Sequence, residues 1–341
     1  MSDYPYHQSL RLQNLTAFQD VTLEFVTGVN AFVGENGTGK THVMKALYAI
    51  QLAQSRRNKN LSDILSELFQ TPDISDLVRL GTGKGAIADV SGRYNDSEWS
   101  YAIQRAVPAG TATATTFADA ERPVFIPAID MMGHTRGFLQ AASEVVLDFD
   151  LTCRDMVSLL GLERRNGNRT PIPMESLSEL LGGTLEYDQS SSRFYLMTAL
   201  GRLPMPLVSE GLRKIATLVR LAQNGWITPG TTLFWDEPEV NLNPKLMDEV
   251  IGAIFALTRA GVQVFLATHS YVILKELDLQ ARQADSVRFF GFQRNEAGTT
   301  VNATDDFTLL EPNSILDQYN SLYDRELTRA TGRNRHGERV R

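Results

Sequence analysis

The chain of 341 residues contains one cysteine, Cys153. No disulfide can close within it, and a reducing compartment, the cytoplasm, is the expectation. Apolar runs stop after a handful of residues, short of the ~18 to 20 that a membrane helix needs. The opening MSDYPYHQSL has neither the basic start nor the apolar stretch of a secretory signal. Sequence repeats are lacking, as are heptads long enough for an extended coiled coil. Positive charge is also in deficit, with 33 basic against 40 acidic side chains for a net −7. Residues 325–341 hold six arginines against two glutamates, which leaves +4 there and −11 on the preceding 324 residues. An acidic body does not collect nucleic acid by bulk charge, so DNA binding requires a local patch, the basic tail or a partner.

At 43% hydrophobic and 21% charged the rest is ordinary globular composition. The length suits about two domains, or one core with an insert. Leu10, Leu12, Leu15, Phe18, Val21, Leu23 and Phe25 alternate in strand fashion, broken at Asn14 and at Gln19-Asp20. They predict two short strands leading to a third over Val29–Val33. A glycine-rich turn follows, then Val43, Met44, Leu47 and Ile50 at helical spacing. Residues 61–70 and 73–80 predict short helices, and 87–94 with 99–107 a hairpin. The small, polar run 108–120 reads as a mobile loop. Residues 144–160 have a helical pattern, 163–170 that of a loop, and 183–203 that of another hairpin. Leu212, Ile215, Ala216, Val219 and Ala222 mark the apolar stripe of a helix ending near Asn224-Gly225. Strand 232–235, helix 244–257 and strand 262–267 then give the alternation of a parallel sheet.

The sharpest motif is Gly34-Glu35-Asn36-Gly37-Thr38-Gly39-Lys40-Thr41, a complete P-loop. Its glycines let successive N–H groups turn toward phosphate oxygens, Lys40 reaches the β and γ phosphates, and the Thr41 hydroxyl ligates Mg2+. A chance match occurs in about one per cent of chains of this length, and here the motif also follows a predicted strand and opens a predicted helix. The Gly81–Gly85 stretch lacks that spacing and is read as a loop. Leu233-Phe234-Trp235-Asp236-Glu237 supplies carboxylates at a buried strand end, Asp236 for the metal and Glu237 as general base toward the attacking water. Val264–Ala267 carries Thr268-His269-Ser270 at its end, where His269 could meet the γ phosphate. Ser209-Glu210-Gly211 opens the amphipathic helix. Ser209 is either its N-cap or, with the helix dipole, a contact for a phosphate held by another subunit. Arg213 and Lys214 are expected on the polar side of that helix, adding charge near the junction or facing solvent.

Lys40, Ser209, Asp236-Glu237 and His269, in this order and spacing, resemble the ABC-type ATPase head of SMC, RecF and OLD-family proteins. The phrases NAFVGENGTGKTHVMKAL, LVSEGLRKIATL, LFWDEPEVNLNP and QVFLATHS are most similar to compact bacterial AAA-type ATPases of defence loci. The resemblance implies an α/β fold: a P-loop ABC-type head with a mixed or parallel sheet, an N-terminal antiparallel β subdomain and a small inserted helical lobe. Residues 1–137 would form the first half of the ATPase lobe and 205–300 the second. Residues 138–204 would be the insert, and 301–341 a C-terminal helix with the basic tail. Gly34 to His42 would bind ATP, Ser209 and Gly211 form the signature, Glu239 to Pro244 the D-loop, and His269 the switch histidine. Two heads would sandwich ATP as a homodimer or higher homo-oligomer, with hydrolysis separating them. The signature reads VSEGL where transporters have LSGGQ, which argues against a transporter subunit. No Q-loop glutamine follows Phe125–Asp130 until Gln140. The implied role is a nucleotide switch in anti-phage defence, controlling a separately encoded effector, a nuclease. The alternatives are a RecF-like repair ATPase that binds DNA directly and an ATP-stabilised scaffold with little turnover.

Overall fold

The computed structural model describes residues 4–55, 60–83, 85–105, 111–114, 120–135, 138, 149–162, 172 and 174–331. Its backbone is a six-stranded sheet in the order β14-β13-β3-β12-β11-β7. The strands are β3 (Val29–Gly34), β7 (Val124–Ile126), β11 (Thr232–Asp236), β12 (Gln263–Thr268), β13 (Val287–Asn295) and β14 (Gly298–Thr304). All pairings are parallel except that of β14, which returns antiparallel along β13. The sheet is therefore mixed, as the resemblance implied.

Parallel strands covered on both sides read as continuous apolar runs, and β3 and β12 are buried at every position. The pleat still sorts them onto two faces. Phe125, Phe234, Phe265, Phe32 and Phe290 lie in one core; Val124, Leu233, Val264, Ala31 and Phe289 lie in the other. The phenylalanines form a row across five strands, with ring centroids 5.0 Å apart for Phe234–Phe265 and 5.3 Å for Phe32–Phe290. Helix α1 (Lys40–Ser55) covers this aromatic face, and Tyr48 packs edge-on against Phe125 and Phe234.

The N-terminal antiparallel sheet has the order β2-β1-β4-β5-β6 and shares the α1 core. Its strands are β1 (His7–Leu15), β2 (Phe18–Glu24), β4 (Ile87–Tyr94), β5 (Ser97–Gln104) and β6 (Thr111–Ala114). The expectation of a loop through 108–120 is corrected over 111–114, where alternating threonines and alanines pair with β5; the rest of that run up to residue 119 lies outside the described residues. Helix α2 is Leu61–Phe69, and the second predicted short helix is a 3-10 turn over Ile74–Leu77.

Helix α3 (Leu151–Gly161) starts at Asp150, whose carboxylate accepts the N–H groups of Thr152 and Cys153. The helical pattern forecast from 144 begins at Leu151 within the described residues. A short helix α4 (Glu175–Leu180) precedes a three-stranded sheet, β8 (Gly183–Asp188), β9 (Arg193–Thr198) and β10 (Gly201–Pro204), so the forecast hairpin gains a strand. Met156, Leu160, Leu177 and Phe194 from this region lie in one core with helix α5 (Glu210–Gln223) and helix α6 (Met247–Arg259). Two polar ties lock α3 to α1: Lys45 Nζ to Asp150 Oδ2 at 2.6 Å, and the buried Tyr48 hydroxyl to Asp155 Oδ2 at 2.6 Å. Helix α7 (Tyr271–Gln280) follows β12, and helix α8 (Ser314–Thr331) ends the described chain. Residues 332–341 of the basic tail, and the loop forecast at 163–170, lie outside the described residues. Among the described residues no helix is long and apolar enough to cross a membrane.

Candidate functional site

The strands β3, β11 and β12 end side by side, and each end delivers part of one site. β3 stops at Gly34, where a side chain would run into the Phe292 carbonyl; at Gly39, with φ +96°, a Cβ would lie 2.6 Å from the Phe18 ring. Glycine is required at both for this turn. Thr38 staples the loop by donating to the Glu35 carbonyl at 2.8 Å, while Glu35, Asn36 and Gly37 are exposed. Lys40 is buried, and its ammonium donates to the Gly34 and Glu35 carbonyls at 2.8 and 2.9 Å. Burial pulls the Lys40 ammonium below its ordinary range, against the attraction of Asp236 and Glu237. The first ladder bond of α1 runs from Val43 N to Gly39 O, so the N–H groups of Lys40, Thr41 and His42 are outside the ladder and available to an anion. The His42 ring is engaged elsewhere, with Nδ1 3.0 Å from Thr16 Oγ1 and an edge-on contact to Phe69. Only its main chain faces the loop's task.

Thr41 Oγ1 donates to Asp236 Oδ2 at 3.0 Å, across 195 residues of sequence. Burial pushes the Asp236 carboxyl up to about 6; the Thr41 hydrogen bond and Lys40 oppose this, and Glu237 adds to it. The next residue, Glu237, has φ +47° and donates its N–H to the Ala267 carbonyl at 2.9 Å. Its carboxylate oxygen lies 3.5 Å from His269 Nδ1. Glu239, expected only as part of the D-loop, holds His269 in place: its Oε1 accepts the Thr268 hydroxyl at 2.8 Å and the His269 N–H at 2.9 Å. Five predicted residues, Lys40, Thr41, Asp236, Glu237 and His269, therefore converge.

Ser209 and Gly211 stand apart from that convergence. Ser209 is exposed and precedes α5 without a side-chain capping bond. Ser209 holds the N-cap position through its main chain, and its hydroxyl is left for another contact. The first ladder bond of α5 is Arg213 N to Ser209 O at 3.0 Å, so this helix start also presents its N–H groups. Gly211 lies beneath the D-loop, where a Cβ would come within 2.8 Å of Asn241 O.

Of the two alternatives for Arg213 and Lys214, solvent exposure does not hold. Arg213 Nε meets Asp130 Oδ2 at 2.6 Å and its Nη1 the Val208 carbonyl at 2.6 Å. Asp130 also accepts the Met132 N–H, so the segment after β7 is docked on α5. Lys214 is 2% exposed, and its ammonium donates to the Glu237 carbonyl at 3.0 Å. One sequence signal could have placed Lys214 inside: it shares the helical face of Gly211, Ile215 and Leu218.

Two family models match the chain, one described as "AAA domain" over residues 9–119 and one as "AAA domain, putative AbiEii toxin, Type IV TA system" over residues 135–275. The chain is 32% identical over 77 residues to the DNA replication and repair protein RecF of Streptococcus suis strain 05ZYH33, covering 23% of this chain and 21% of that protein. It is 33% identical over 75 residues to RecF of Limosilactobacillus reuteri strain DSM 20016, covering 22% and 20%. The aligned part thus spans about a fifth of the length of these relatives. Among solved structures, the fold is similar to an SMC head bound to the C-terminal winged-helix domain of ScpA, with TM-score 0.58, 14% identity and coverage of 88% of this chain and 97% of that one. It is also similar to an SMC head with an extended coiled coil, bound to the C-terminal domain of ScpA derived from Pyrococcus furiosus, with TM-score 0.54, 12% identity and coverage of 94% and 100%.

The fold is that of an SMC head domain, with a P-loop at its central strand ends. The matched segments are similar to AAA domains and to part of RecF.

Proposed function

We propose that this chain hydrolyses ATP as a head-to-head dimer and acts as a nucleotide switch for a separately encoded effector in anti-phage defence. The observation that carries the catalytic half is the Thr41–Asp236 contact at 3.0 Å, which sets the P-loop helix beside Glu237 and His269. Gly34 to His42 bind the triphosphate, with Lys40 leaving its loop carbonyls for the β and γ phosphates. Thr41 Oγ1 and Asp236 Oδ2 are hard oxygen donors suited to Mg2+. Water and phosphate oxygens would complete such a shell. Bound Mg2+ supplies charge neutralisation on the phosphates. Glu237 takes a proton from the attacking water, and His269 orients the γ phosphate and that carboxylate.

Ser209 and Gly211 lie outside the convergent cluster, with the Ser209 hydroxyl exposed and uncapped, which supports contact with nucleotide held by a second copy. ATP then joins two surfaces that otherwise meet weakly, a ligand-driven population shift. The toxin–antitoxin description of the family model matching residues 135–275 is compatible with a defence role, and a nuclease is the effector class proposed. Net charge −7 supports a protein partner over bulk DNA.

Similarity to RecF favours a second reading, direct DNA binding. Phosphate release and DNA affinity at two salt concentrations test both. Turnover with weak DNA binding is the expected result. Tight binding that falls steeply with salt, with turnover stimulated by DNA, would establish the RecF-like alternative instead. Absence of phosphate release would leave an ATP-stabilised scaffold.

A further inference from the structure

Lys214 is a buried ammonium used on a single carbonyl. Its one hydrogen bond among the described residues goes to Glu237 O, at 3.0 Å. That oxygen also accepts the Val240 N–H at 3.2 Å. Burial lowers the Lys214 ammonium from its ordinary range, and the nearby charges of Glu239, Glu210, Glu237 and Asp130 only oppose this. An apolar side chain of similar volume avoids that desolvation cost, so stability alone is a weak reason for a lysine here. What the apolar residue cannot do is hold a carbonyl.

The held residue is in an uncommon conformation. Glu237 has φ +47°, a region that costs a non-glycine residue about 1–3 kcal/mol and persists only when its surroundings over-determine it. Its N–H is fixed by Ala267 O on β12, and its carbonyl is fixed from the opposite side by Lys214 on α5. Between these anchors the carboxylate is directed at His269. The tight approach of Gly211 to Asn241 and Leu242 seats the same helix under the same loop, one turn earlier.

We infer that Lys214 is a positioning residue for ATP hydrolysis: it fixes the main chain of Glu237 so that the carboxylate faces the attacking water, and it makes the signature helix and the base one rigid piece. The inference rests on the ATPase reading above. In the head-to-head dimer, the helix that offers Ser209 to the partner's nucleotide is therefore the helix that sets the base of its own site.

The test compares Lys214→Met and Lys214→Arg with the unaltered protein, by fluorescent ATP-analogue binding, phosphate release against ATP concentration, and thermal melting. Lys214→Met is expected to bind nucleotide and melt like the unaltered protein, with KM unchanged and kcat lower by on the order of 100-fold, the cost of misplacing a reacting group by about 1 Å. Lys214→Arg, which keeps a donor, is expected to recover most of the loss. Should the fold refuse Met, Lys214→Gln, a shorter donor, is expected to fall below Lys214→Arg in kcat alone. Equal kcat in Lys214→Met and the unaltered protein overturns the role of Lys214 and leaves the ATPase reading standing. A loss confined to KM or melting, or an Arg variant no better than Met, also overturns it. No phosphate release from the unaltered protein overturns both.

Discussion

Asp236 is held at a cost to stability that its replacement should release. Burial pushes its carboxyl from 3.8 up to about 6, and each unit corresponds to about 1.4 kcal/mol between protonation states. The shift amounts to about 3 kcal/mol, and residual solvent access at the strand end brings the expected effect to about 1–3 kcal/mol. The unfolded carboxyl ionises near pH 4 and the folded one near pH 6, so between them the folded chain binds the extra proton. Stability is then greatest below pH 4, declines as pH rises through this window, and carries the full penalty above pH 6. Asp236→Asn removes the charge but keeps a carbonyl to accept the Thr41 hydroxyl. Urea unfolding without nucleotide should show the variant more stable by about 1–3 kcal/mol at pH 7.5 and equal to the unaltered protein at pH 4. Adding Mg2+ and ATP should reverse the order, since ligand at 100 times its Kd adds about 2.7 kcal/mol to the protein that binds it. A variant less stable than the unaltered protein at pH 7.5, or a gap persisting at pH 4, refutes the assignment of burial as the dominant influence on Asp236.

Three further outcomes are expected. Glu237→Gln should retain ATP binding, stop phosphate release and accumulate a dimer in light scattering; normal turnover would remove Glu237 as the base. Ser209→Arg should leave nucleotide binding intact while abolishing ATP-driven dimerisation, which sedimentation reads directly. His7 is fully buried, with Nε2 2.9 Å from Gln51 Oε1 and its pKa lowered to about 4 by burial. The unfolded imidazole gains its proton near pH 6.5 and the folded one only near 4, so stability present above 6.5 is lost as pH falls through that window, about 3 kcal/mol in all. His7→Gln should flatten the acid limb of a pH–stability curve by one proton, and an unchanged slope would show that His7 does not titrate differently on folding.

The P-loop was legible because its chemistry is local: glycine spacing, a strand before and a helix after it appear in consecutive letters. The same holds for Asp236-Glu237 and His269, each at the end of an apolar run. What holds them was not legible. Lys214 looks like an exposed charge until α5 is packed under the 237–242 turn, and Glu239 like one more D-loop acid until Thr268 and His269 close on its carboxylate. Both contacts depend on elements far apart in sequence. Over 111–114 the small residues suggested a loop, but alternating threonines next to the open edge of β5 favour pairing.

The order of strands in the central sheet also bears on folding. β3, near the start of the chain, hydrogen-bonds to β12 and β13, which follow more than 200 residues later. Such long-range parallel pairing forms slowly, because loop closure must precede any return in contacts. The P-loop closes against Phe292 and Asp236, so a chain still emerging from the ribosome lacks the completed nucleotide site until β13 has joined. Under the ATP-binding reading proposed above, nucleotide would stabilise only chains whose central sheet is complete.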